Sequence, residues 1–431
     1  MATSTTYLER TFAAGDRRKW TWSAWVKRAN LGSNNWLFHT YLAGNNENSI
    51  FFTPDDQLAF SIYTGNNDNG RLTTNRKFRD TNAWYHLQFV WDSANSTAGN
   101  RMRIYVNGVE ETSFATDTNP PINYEAIFNS AINHTIGQYG NNDASMRFSG
   151  SMSHVHFSDG YALAPTVFGE YDANGVWKIK TSPSFTLGTN GFTILKDGNT
   201  ITDQSSNSNN WSASGTLTKT EDCPSNVFAT LNPLSTPSTL SNGNLQAVYA
   251  GSGSYATASS TLGMTSGKFY CEVKLTLTNN YPATGICATN SSHATTLKQT
   301  DWLGSDADSY GIYTSEGKVY NIGNVVNTFG AISTGDILGM ALDLDSAQNT
   351  LKYYKNGSLI GTQNITTNSN GWMFGCTNEN TGSTNAQFNF GNGYFGTTAV
   401  SSAGTNASGI GIFEYDVPTG YTALSTKGLN L

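Results

Sequence analysis

Apolar and polar positions alternate through most of the chain. In one segment every second residue is apolar, namely Trp20, Trp22, Ala24 and Val26. A second segment alternates completely, and its apolar face carries Phe269, Cys271, Val273, Leu275 and Leu277. Because successive side chains of a strand point to opposite faces, this period of two predicts strands with one buried face. No long amphipathic helix is evident, and residues 163–170 are expected to form one short helical turn.

One strand–loop–strand–turn motif occurs twice in the sequence. Asp92-Ser93-Ala94-Asn95 ends an apolar strand, and a strand from Met102 then leads to Asn107-Gly108. Asp345-Ser346-Ala347-Gln348 and the strand from Leu351 lead to Asn356-Gly357 in the same way. Asn-Gly between β-rich runs indicates a hairpin, because both central residues of a type I′ turn need positive φ. The repetition predicts an all-β chain of two antiparallel β-sandwich domains in tandem.

Composition changes between these two halves. Residues 173–230 are rich in Asn, Ser and Pro, which is typical of a linker or an ordered connecting segment. Trp211 and Phe228 within it indicate that it packs on a surface. The predicted division is therefore a first sandwich over 1–172, a connecting segment over 173–230 and a second sandwich with a C-terminal tail over 231–431. The tail, from Ser401 onward, is expected to be pinned to a surface.

Charge and composition narrow the class of partner. Charged residues make up 13% of the chain and the net charge is −7, which gives no basic footprint for a nucleic acid. No apolar run reaches membrane-spanning length, so membrane insertion is not expected. The start of the sequence lacks the basic and apolar regions of a signal peptide. The four cysteines form no C-x-x-C pair, and reduced thiols are expected.

Ordered motifs in the first half resemble the laminin-G-like branch of the concanavalin-type jelly rolls. They are Trp22-Ser23-Ala24-Trp25-Val26-Lys27, Trp84-Tyr85-His86-Leu87, Ile104-Tyr105-Val106-Asn107-Gly108 and Phe148-Ser149-Gly150 before Val155-His156-Phe157. Ala162 to Phe168 is similar to the helical turn that ends such domains. The resemblance implies a two-sheet sandwich.

The second half resembles a SPRY domain. The residues that carry this resemblance are Ser266 to Val273, Gly335-Asp336-Ile337-Leu338-Gly339 with Leu342 to Asp345, Tyr353 to Gly357, and Gln387 to Gly391. SPRY domains are also two-sheet sandwiches, and their partner surface is built from loops on one rim. The resemblance therefore implies that Trp302 and Tyr310, in the segments 301–303 and 308–310, are partner anchors, although Trp302 could equally be a core residue.

Two further segments are similar to structural proteins of aquatic tailed phages. They are Asn209-Asn210-Trp211 with 220–233, and Phe413 to Tyr421. This resemblance implies a virion protein, such as an appendage, fibre, spike or capsid decoration. Its expected partners are host-surface glycan and other virion structural proteins, and analogy with fibres and spikes favours a homotrimer.

Catalytic signatures are weak. Retaining glycosidases need two carboxylates about 5 Å apart, which on a strand would be written Glu-x-Asp-x-Glu. Glu170-Tyr171-Asp172 and Glu414-Tyr415-Asp416 lack the third member. No nucleophile elbow, zinc-protease motif or phosphate loop is present. We expect no enzyme activity and no cofactor, and keep a polysaccharide-degrading glycosidase as the alternative.

Metal ligation is also a minor hypothesis. His154 and His156 are expected on one face of a strand, but no third ligand follows at a fixed spacing. Asp92 and Asp345 could bind calcium, but an Asp at a strand end more often caps the next loop. We expect capping there and no metal site.

Asn-rich loops beside tyrosines are the best candidates for binding. Amide and carboxylate groups give directional hydrogen bonds to sugar hydroxyls, and aromatic faces stack on sugar rings. The predicted ligand-binding residues of the first half are Tyr63, Asn66, Asn67, Asp68, Tyr139, Asn141, Asn142 and Asp143. Such loops also simply make turns. The sequence favours a non-enzymatic virion protein that binds host carbohydrate or a neighbouring virion protein.

Overall fold

The structure is a computed structural model that describes residues 6–140, 146–196, 198, 200–249, 255–276, 282–296, 301–379 and 384–431. Strands dominate, as the alternation predicts, and the chain forms two compact units, Thr3–Lys219 and Thr220–Leu431. Each unit contains one eight-stranded and one six-stranded sheet with a hydrophobic core. The predicted tandem of antiparallel sandwiches is confirmed.

The described residues of the first unit form sixteen strands in three sheets. The eight-stranded sheet has the order β10-β6-β5-β4-β3-β11-β1-β16. The six-stranded sheet has the order β15-β12-β2-β7-β8-β9, and β13 pairs with β14. The bounds are β1 Tyr7–Thr11, β2 Lys19–Arg28, β3 Asn35–Leu42, β4 Asn46–Phe52, β5 Gln57–Thr64, β6 Asn67–Lys77, β7 Trp84–Asp92, β8 Met102–Val106, β9 Val109–Glu110, β10 Phe114–Thr118, β11 Asn133–Ile136, β12 Gly150–Asp159, β13 Gly169–Tyr171, β14 Trp177–Ile179, β15 Phe192–Ile194 and β16 Ser212–Ser214.

The second unit adds sixteen strands. Its eight-stranded sheet follows β17-β18-β29-β20-β25-β26-β27 with β32 parallel to β20, its six-stranded sheet follows β19-β28-β21-β22-β23-β24, and β30 pairs with β31. The bounds are β17 Thr239–Ser241, β18 Gln246–Tyr249, β19 Tyr255–Ser259, β20 Lys268–Thr276, β21 Ala283–Ala288, β22 Ser309–Tyr313, β23 Lys318–Asn321, β24 Asn324–Thr328, β25 Ile337–Asp343, β26 Thr350–Lys355, β27 Ser358–Asn364, β28 Trp372–Glu379, β29 Thr384–Asn389, β30 Tyr394–Phe395, β31 Thr398–Ala399 and β32 Thr422–Ala423.

Helical structure is sparse in the described residues. One α-helix, α1, spans Ser292–Thr295, and 3₁₀ turns span Ala98–Asn100, Pro165–Val167 and Gly428–Asn430. The Pro165–Val167 turn lies where the sequence predicts a short helical turn. Among the described residues, no helix is long and apolar enough to cross a membrane.

The alternating segments supply the cores. Trp20, Trp22, Ala24 and Val26 belong to the core of the first unit. Phe269, Cys271, Val273 and Leu275 belong to the core of the second, whereas Leu277 lies outside the described residues. All four cysteines are free, and burial raises the pKa of Cys287 and Cys376 to about 12.

The segment 173–230 differs from its prediction as a separate connection. The structure divides the chain between Lys219 and Thr220, so strands β14, β15 and β16 belong to the first unit. The reason is hydrophobic, because Phe192, Ile194 and Trp211 are buried in the first core. Polar composition therefore conceals an ordered part of the first sandwich.

The repeated hairpins are built alike. Asn107 and Gly108 have φ of 50° and 80°, and Asn356 and Gly357 have φ of 48° and 80°, as a type I′ turn requires. The Asn107 N–H donates to the His86 carbonyl and its Oδ1 accepts from the His86 N–H, at 2.9 and 2.8 Å. Asn356 makes the same two bonds with Ile337, both at 2.9 Å. These hairpins are scaffold.

Candidate functional site on the first unit

The outer face of the six-stranded sheet in the first unit is covered by the chain that follows it. Trp177 stacks on His86 and its Nε1 donates to His86 Nδ1 at 3.1 Å. Gln88 Nε2 donates to the Leu163 carbonyl at 2.7 Å. Burial lowers the pKa of His86 to about 3, so this imidazole is neutral. The part of this face around His86 and Gln88 is therefore covered by the chain itself.

The outer face of the eight-stranded sheet carries the candidate site, which we call the open face. Its strand register aligns three rows of side chains that point away from the core. The first row is Tyr41–Glu47–Tyr63–Asp68, the second is Thr135–His39–Ser49–Ser61–Arg71, and the third is Trp36–Phe51–Ala59–Thr73. The small residues Ser49 and Ser61 thus lie in the middle row. The row with the carboxylates and tyrosines lies on one side of them, and the row with the Trp36 and Phe51 rings lies on the other.

Glu47 is the centre of the open face. The Tyr139 hydroxyl donates to its Oε2 at 2.5 Å, and His39 Nε2 lies 3.5 Å from the same oxygen. The Gly140 N–H donates to His39 Nδ1 at 2.9 Å, which leaves the ring proton on Nε2 and directs it to Glu47. Burial alone would raise the pKa of Glu47, but these hydrogen bonds and the charge of Arg71 outweigh it and lower the pKa. Glu47 is therefore held as a carboxylate acceptor.

Aromatic surface adjoins this carboxylate. Trp36 and Phe51 stack with ring centroids 4.9 Å apart and planes at 8°. The Tyr139 ring packs edge-on against Trp36 at 5.2 Å, and Tyr41 is 39% exposed. Aromatic faces beside hydrogen-bonding groups are the two elements that carbohydrate recognition needs.

Two hairpin tips meet at one end of the open face. Asn45 Nδ2 donates to Asn66 Oδ1 at 2.8 Å, and the Gly65 N–H donates to Asn46 Oδ1 at 3.1 Å. Asn67 Nδ2 bonds the Gly65 carbonyl at 3.0 Å, so its amide supports its own turn. Of the predicted loop residues, Asn66 and Asn67 thus order the tips and keep exposed polar groups.

The structure brings most of the predicted residues of the first unit together. Tyr63 pairs with both Glu47 and Asp68, and Asp68 lies 3.8 Å from Arg71. Tyr139 reaches the same row through Glu47. Asn141, Asn142 and Asp143 lie outside the described residues, so their place in the site stays a prediction.

The two predicted anchors of the second unit differ. Trp302 is half-buried and packs on Tyr313 and Tyr320, with centroids 4.9 and 5.2 Å away. Tyr310 requires a correction, because it is 4% exposed and packs on Trp372 inside the core. Tyr310 and Tyr313 lie three residues apart in β22, so their side chains point to opposite faces of the sheet, and that of Tyr310 faces the core. Trp302 remains a candidate, whereas Tyr310 is core.

The minor metal hypotheses find no support in the described residues, where no group of three or more His, Cys, Asp or Glu side chains could hold a metal ion. His156 is 2% exposed, and burial holds its pKa well below the ordinary value. β25 ends at Asp343, not at Asp345, and Asp343 Oδ1 accepts from the Asp345 and Ser346 N–H groups. Asp92 instead pairs with Lys19 at 3.5 Å.

Sequence reasoning missed Glu47, His39, Arg71, Trp36 and Phe51. A signal existed, because Glu47, Ser49 and Phe51 alternate with buried Asn48, Ile50 and Phe52. These side chains fill outward positions of strands that adjoin the Asn-rich loops, so the alternation of the strands, and not the loop composition, carries the signal.

Comparison with known proteins agrees with this architecture. A laminin-G family model, described as Concanavalin A-like lectin/glucanases superfamily, matches residues 3–167. Residues 3–167 match this family. The predicted laminin-G-like resemblance is therefore confirmed, and we call Thr3–Lys219 the laminin-G-like unit. A comparison with curated protein sequences found no match.

Similar solved structures include SPRY domains. The SPRY domain of human HERC1 is 15% identical, with 37% of this chain and 96% of that chain covered and a TM-score of 0.32. A human SPRY domain is 20% identical, with 33% and 90% covered and a TM-score of 0.29. A heptameric pentraxin of Limulus polyphemus is 20% identical, with 38% and 74% covered and a TM-score of 0.29. We call Thr220–Leu431 the SPRY-like unit.

Proposed function

We propose that this chain is a non-enzymatic carbohydrate-binding protein of a tailed-phage virion and that the open face binds host-surface glycan. The observation that carries the proposal is the row Tyr41–Glu47–Tyr63–Asp68 on the open face of the laminin-G-like unit. The name of the matching family includes lectins as well as glucanases. Attachment to a neighbouring virion protein is the alternative role of the same surface.

The chemistry of the open face suits neutral sugars. Glu47 Oε2 is occupied by Tyr139 and His39, so Oε1 is the oxygen available to a sugar hydroxyl. Arg71 can donate to ring or hydroxyl oxygens, and its pairing with Asp68 holds it over the sheet. Tyr41, which is 39% exposed, and the half-buried Phe51 supply apolar surface on which a pyranose ring can stack, and the buried Trp36 supports Phe51 from beside it.

The glycosidase alternative meets an obstacle at the same residues. Glu47 and Asp68 lie two strands apart, which separates their backbones by about 10 Å. An inverting glycosidase places its carboxyl groups roughly 6.5–9.5 Å apart, but one of them must be protonated. The pKa of Glu47 is lowered, so Glu47 does not suit the role of general acid.

Glycan binding is tested with the purified full chain on an array of bacterial surface polysaccharides. Glu47→Gln and Tyr63→Ala should each weaken binding at least tenfold, because each removes a charged or aromatic contact. Glu170→Gln and Tyr161→Ala are matched controls outside the open face and should leave binding unchanged. If wild-type protein binds no glycan, or the controls weaken binding equally, the open face is not the site.

Two further measurements separate the remaining roles. Reducing-sugar release from host polysaccharide would establish the glycosidase and contradict the non-enzymatic proposal. Light scattering of the purified chain tests the expected homotrimer. Immunolabelling of particles by electron microscopy tests the virion location and distinguishes a tail position from a capsid position.

A further inference from the structure

A cleft of about 260 Å³ lies in the laminin-G-like unit, beyond the matched family residues 3–167 and away from the open face. One wall is formed by residues of the segment 182–187, and the other by Thr193 of β15 together with Lys196 and residues 204–206. The cleft is smaller than the pockets of about 300–1,000 Å³ that hold drug-sized ligands, which limits an occupant to one small ring.

Both walls are fixed to the sheet. The Asp159 N–H donates to the Leu187 carbonyl at 2.8 Å, and Ser158 Oγ donates to the Thr186 carbonyl at 2.6 Å. On the opposite side the Asp203 carboxylate accepts from the N–H groups of Thr193, Ser205 and Asn209 at 2.8–2.9 Å. The site is therefore formed before any ligand arrives, which reduces the entropic cost of binding.

The lining is hydroxyl-rich and carries one charge. Of the ten lining residues, all within the described part of the chain, Lys196 is the only charged one, and Ser182, Ser184 and Ser206 supply hydroxyls. None of the salt bridges between described residues includes Lys196. Asp203, the nearby carboxylate, already accepts a further bond from Ser205 Oγ at 2.8 Å. The ammonium group of Lys196 is thus available to an anion.

Two other features favour a ligand. The Phe185 ring lines the cleft, and its other contacts are edge-on to His156 and Phe168, at 5.6 and 5.1 Å. Leu195, directly before Lys196, has φ of +56°, a left-handed conformation that is strained for leucine. The Leu195 N–H donates to the Thr200 carbonyl, and its carbonyl accepts from the His154 N–H, so surrounding bonds hold it there. Such enforced strain is typical of ligand sites.

We propose that this cleft binds a single acidic sugar ring, with the sugar carboxylate on Lys196, the ring against Phe185 and the sugar hydroxyls on the serines. The site is separate from the open face and does not depend on glycan binding there. A charge-assisted hydrogen bond is about twice as strong as a neutral one, so the carboxylate should dominate affinity.

Isothermal titration of the full chain with methyl β-glucuronide, methyl β-glucoside and sodium sulfate tests the proposal. The glucuronide should bind at least tenfold more tightly than the glucoside, which carries a neutral hydroxymethyl group in place of the carboxylate. Lys196→Gln should remove this difference, whereas Lys427→Gln, an exposed lysine in the SPRY-like unit, should preserve it. Phe185→Leu, which keeps apolar packing, should weaken both glycosides severalfold.

Each alternative result overturns part or all of the proposal. Equal binding of glucuronide and glucoside would show that the ligand is not an acidic sugar. A Lys196→Gln variant that keeps the wild-type preference for glucuronide would show that this cleft is not the binding site. Sulfate that competes at the same concentration as glucuronide shows a simple anion site without a sugar subsite. Circular dichroism and thermal melting of each variant exclude misfolding. Glu47→Gln should leave glucuronide binding unchanged, so failure here is distinct from failure at the open face.

Discussion

The laminin-G-like unit leaves the row Tyr41–Glu47–Tyr63–Asp68 on the outer face of its eight-stranded sheet exposed or half-buried, whereas the SPRY-like unit lays its own chain on the outer faces of both of its sheets. On the six-stranded sheet, Gly285, Gly311 and Gly375 form one row across three strands. A Cβ at Gly311 would lie 2.2 Å from the Leu303 carbonyl oxygen, so only glycine allows the segment with Trp302 to lie there. In the laminin-G-like unit, by contrast, Glu47, Tyr63 and Arg71 project from the sheet and remain accessible.

The C-terminal segment covers the other sheet of the SPRY-like unit. Phe413, Val417 and Tyr421 pack with Tyr270 in a separate hydrophobic cluster. The N–H groups of Glu414 and Tyr415 each donate to the Glu272 carboxylate at 2.9 Å. The predicted pinned tail is therefore an integral layer, and we call residues 401–424 the C-terminal strap.

One glutamate from each unit illustrates the difference. Glu47 on the open face has a lowered pKa, because His39, Tyr139 and Arg71 favour its charged form. Burial raises the pKa of Glu272 under the strap to about 7, against hydrogen bonds from Glu414, Tyr415, Tyr270 and Asn389. A carboxylate that is kept charged at an accessible surface can serve a ligand, whereas one that is sealed under the chain serves stability alone.

The largest expected effect is the loss of a strap anchor. Phe413→Ala should destabilise the SPRY-like unit by about 3–5 kcal/mol, because Phe413 is 1% exposed and its removal leaves a cavity. Tyr41→Ala on the open face, the matched aromatic deletion, should cost at most about 0.5 kcal/mol. Unfolding in denaturant measures the loss of stability in each variant. Hydrogen exchange should show that the loss caused by Phe413→Ala is greatest in the strap. Equal costs for the two variants would contradict the distinction between covered and open faces.

The pH dependence of Glu272 is the next effect in size. Its pKa is higher in the folded state than the ordinary 4.5, so its contribution to stability is full below pH 4.5 and is lost as pH rises through about 7. This difference corresponds to about 3 kcal/mol. Unfolding of the SPRY-like unit in denaturant should therefore become easier between pH 4.5 and 7.5. Glu272→Gln should flatten the curve in this window, and an unchanged curve would show that Glu272 is not the titrating group.

Part of this comparison could be read from the sequence. Period-two alternation identified the core strands, and Asn107-Gly108 and Asn356-Gly357 identified both hairpins, because strand periodicity and positive φ are local properties. The laminin-G-like and SPRY resemblances assigned the sandwich class. The pinning of Phe413 was also predictable, since a large aromatic ring in a Gly/Ser-rich tail needs a surface to bury it.

The site was less predictable, for a physical reason. Glu47, Tyr63 and Asp68 come together only through the pairing of β4, β5 and β6, and Tyr139 joins them from the segment after β11, a long way along the chain. Register is a tertiary property, so loop composition alone cannot give it. Tyr310 was misplaced for the same reason, because its direction depends on the face of β22 that meets the core.

Acidification should lower the stability of the laminin-G-like unit through Glu47, whereas it should raise the stability of the SPRY-like unit through Glu272. The effect through Glu47 should be the smaller of the two. The folded pKa of Glu47 is lowered, so its stabilising contribution is present above its ordinary pKa and is lost as pH falls through the folded value. Between pH 6 and 3.5 the wild-type laminin-G-like unit should therefore lose more stability than Glu47→Gln. Thermal melting of both proteins measures the difference. A steeper loss in the variant would contradict the proposed role of His39 and Tyr139.

The smallest expected effects test whether the hairpins are equivalent scaffold in both units. Asn107→Ala and Asn356→Ala each remove one side-chain bond to a backbone N–H and strain a position with positive φ. Each should cost about 1–2 kcal/mol in its own unit. Asn107→Gly and Asn356→Gly keep the backbone conformation and should cost less, which separates strain from the lost hydrogen bond.

Unfolding in denaturant of the four variants, followed by hydrogen exchange at His86 and Ile337, measures both contributions. Glycan binding by the Asn107 variants should remain at the wild-type level, because the hairpin lies on the six-stranded sheet and the open face on the other. Loss of binding at unchanged stability would place the hairpin in the site and remove the separation between scaffold and surface. Equal losses of stability in the two units, without any effect on glycan binding, would show that the Asn-Gly hairpin has the same structural role in both sandwiches. The difference between the units would then lie in their outer faces.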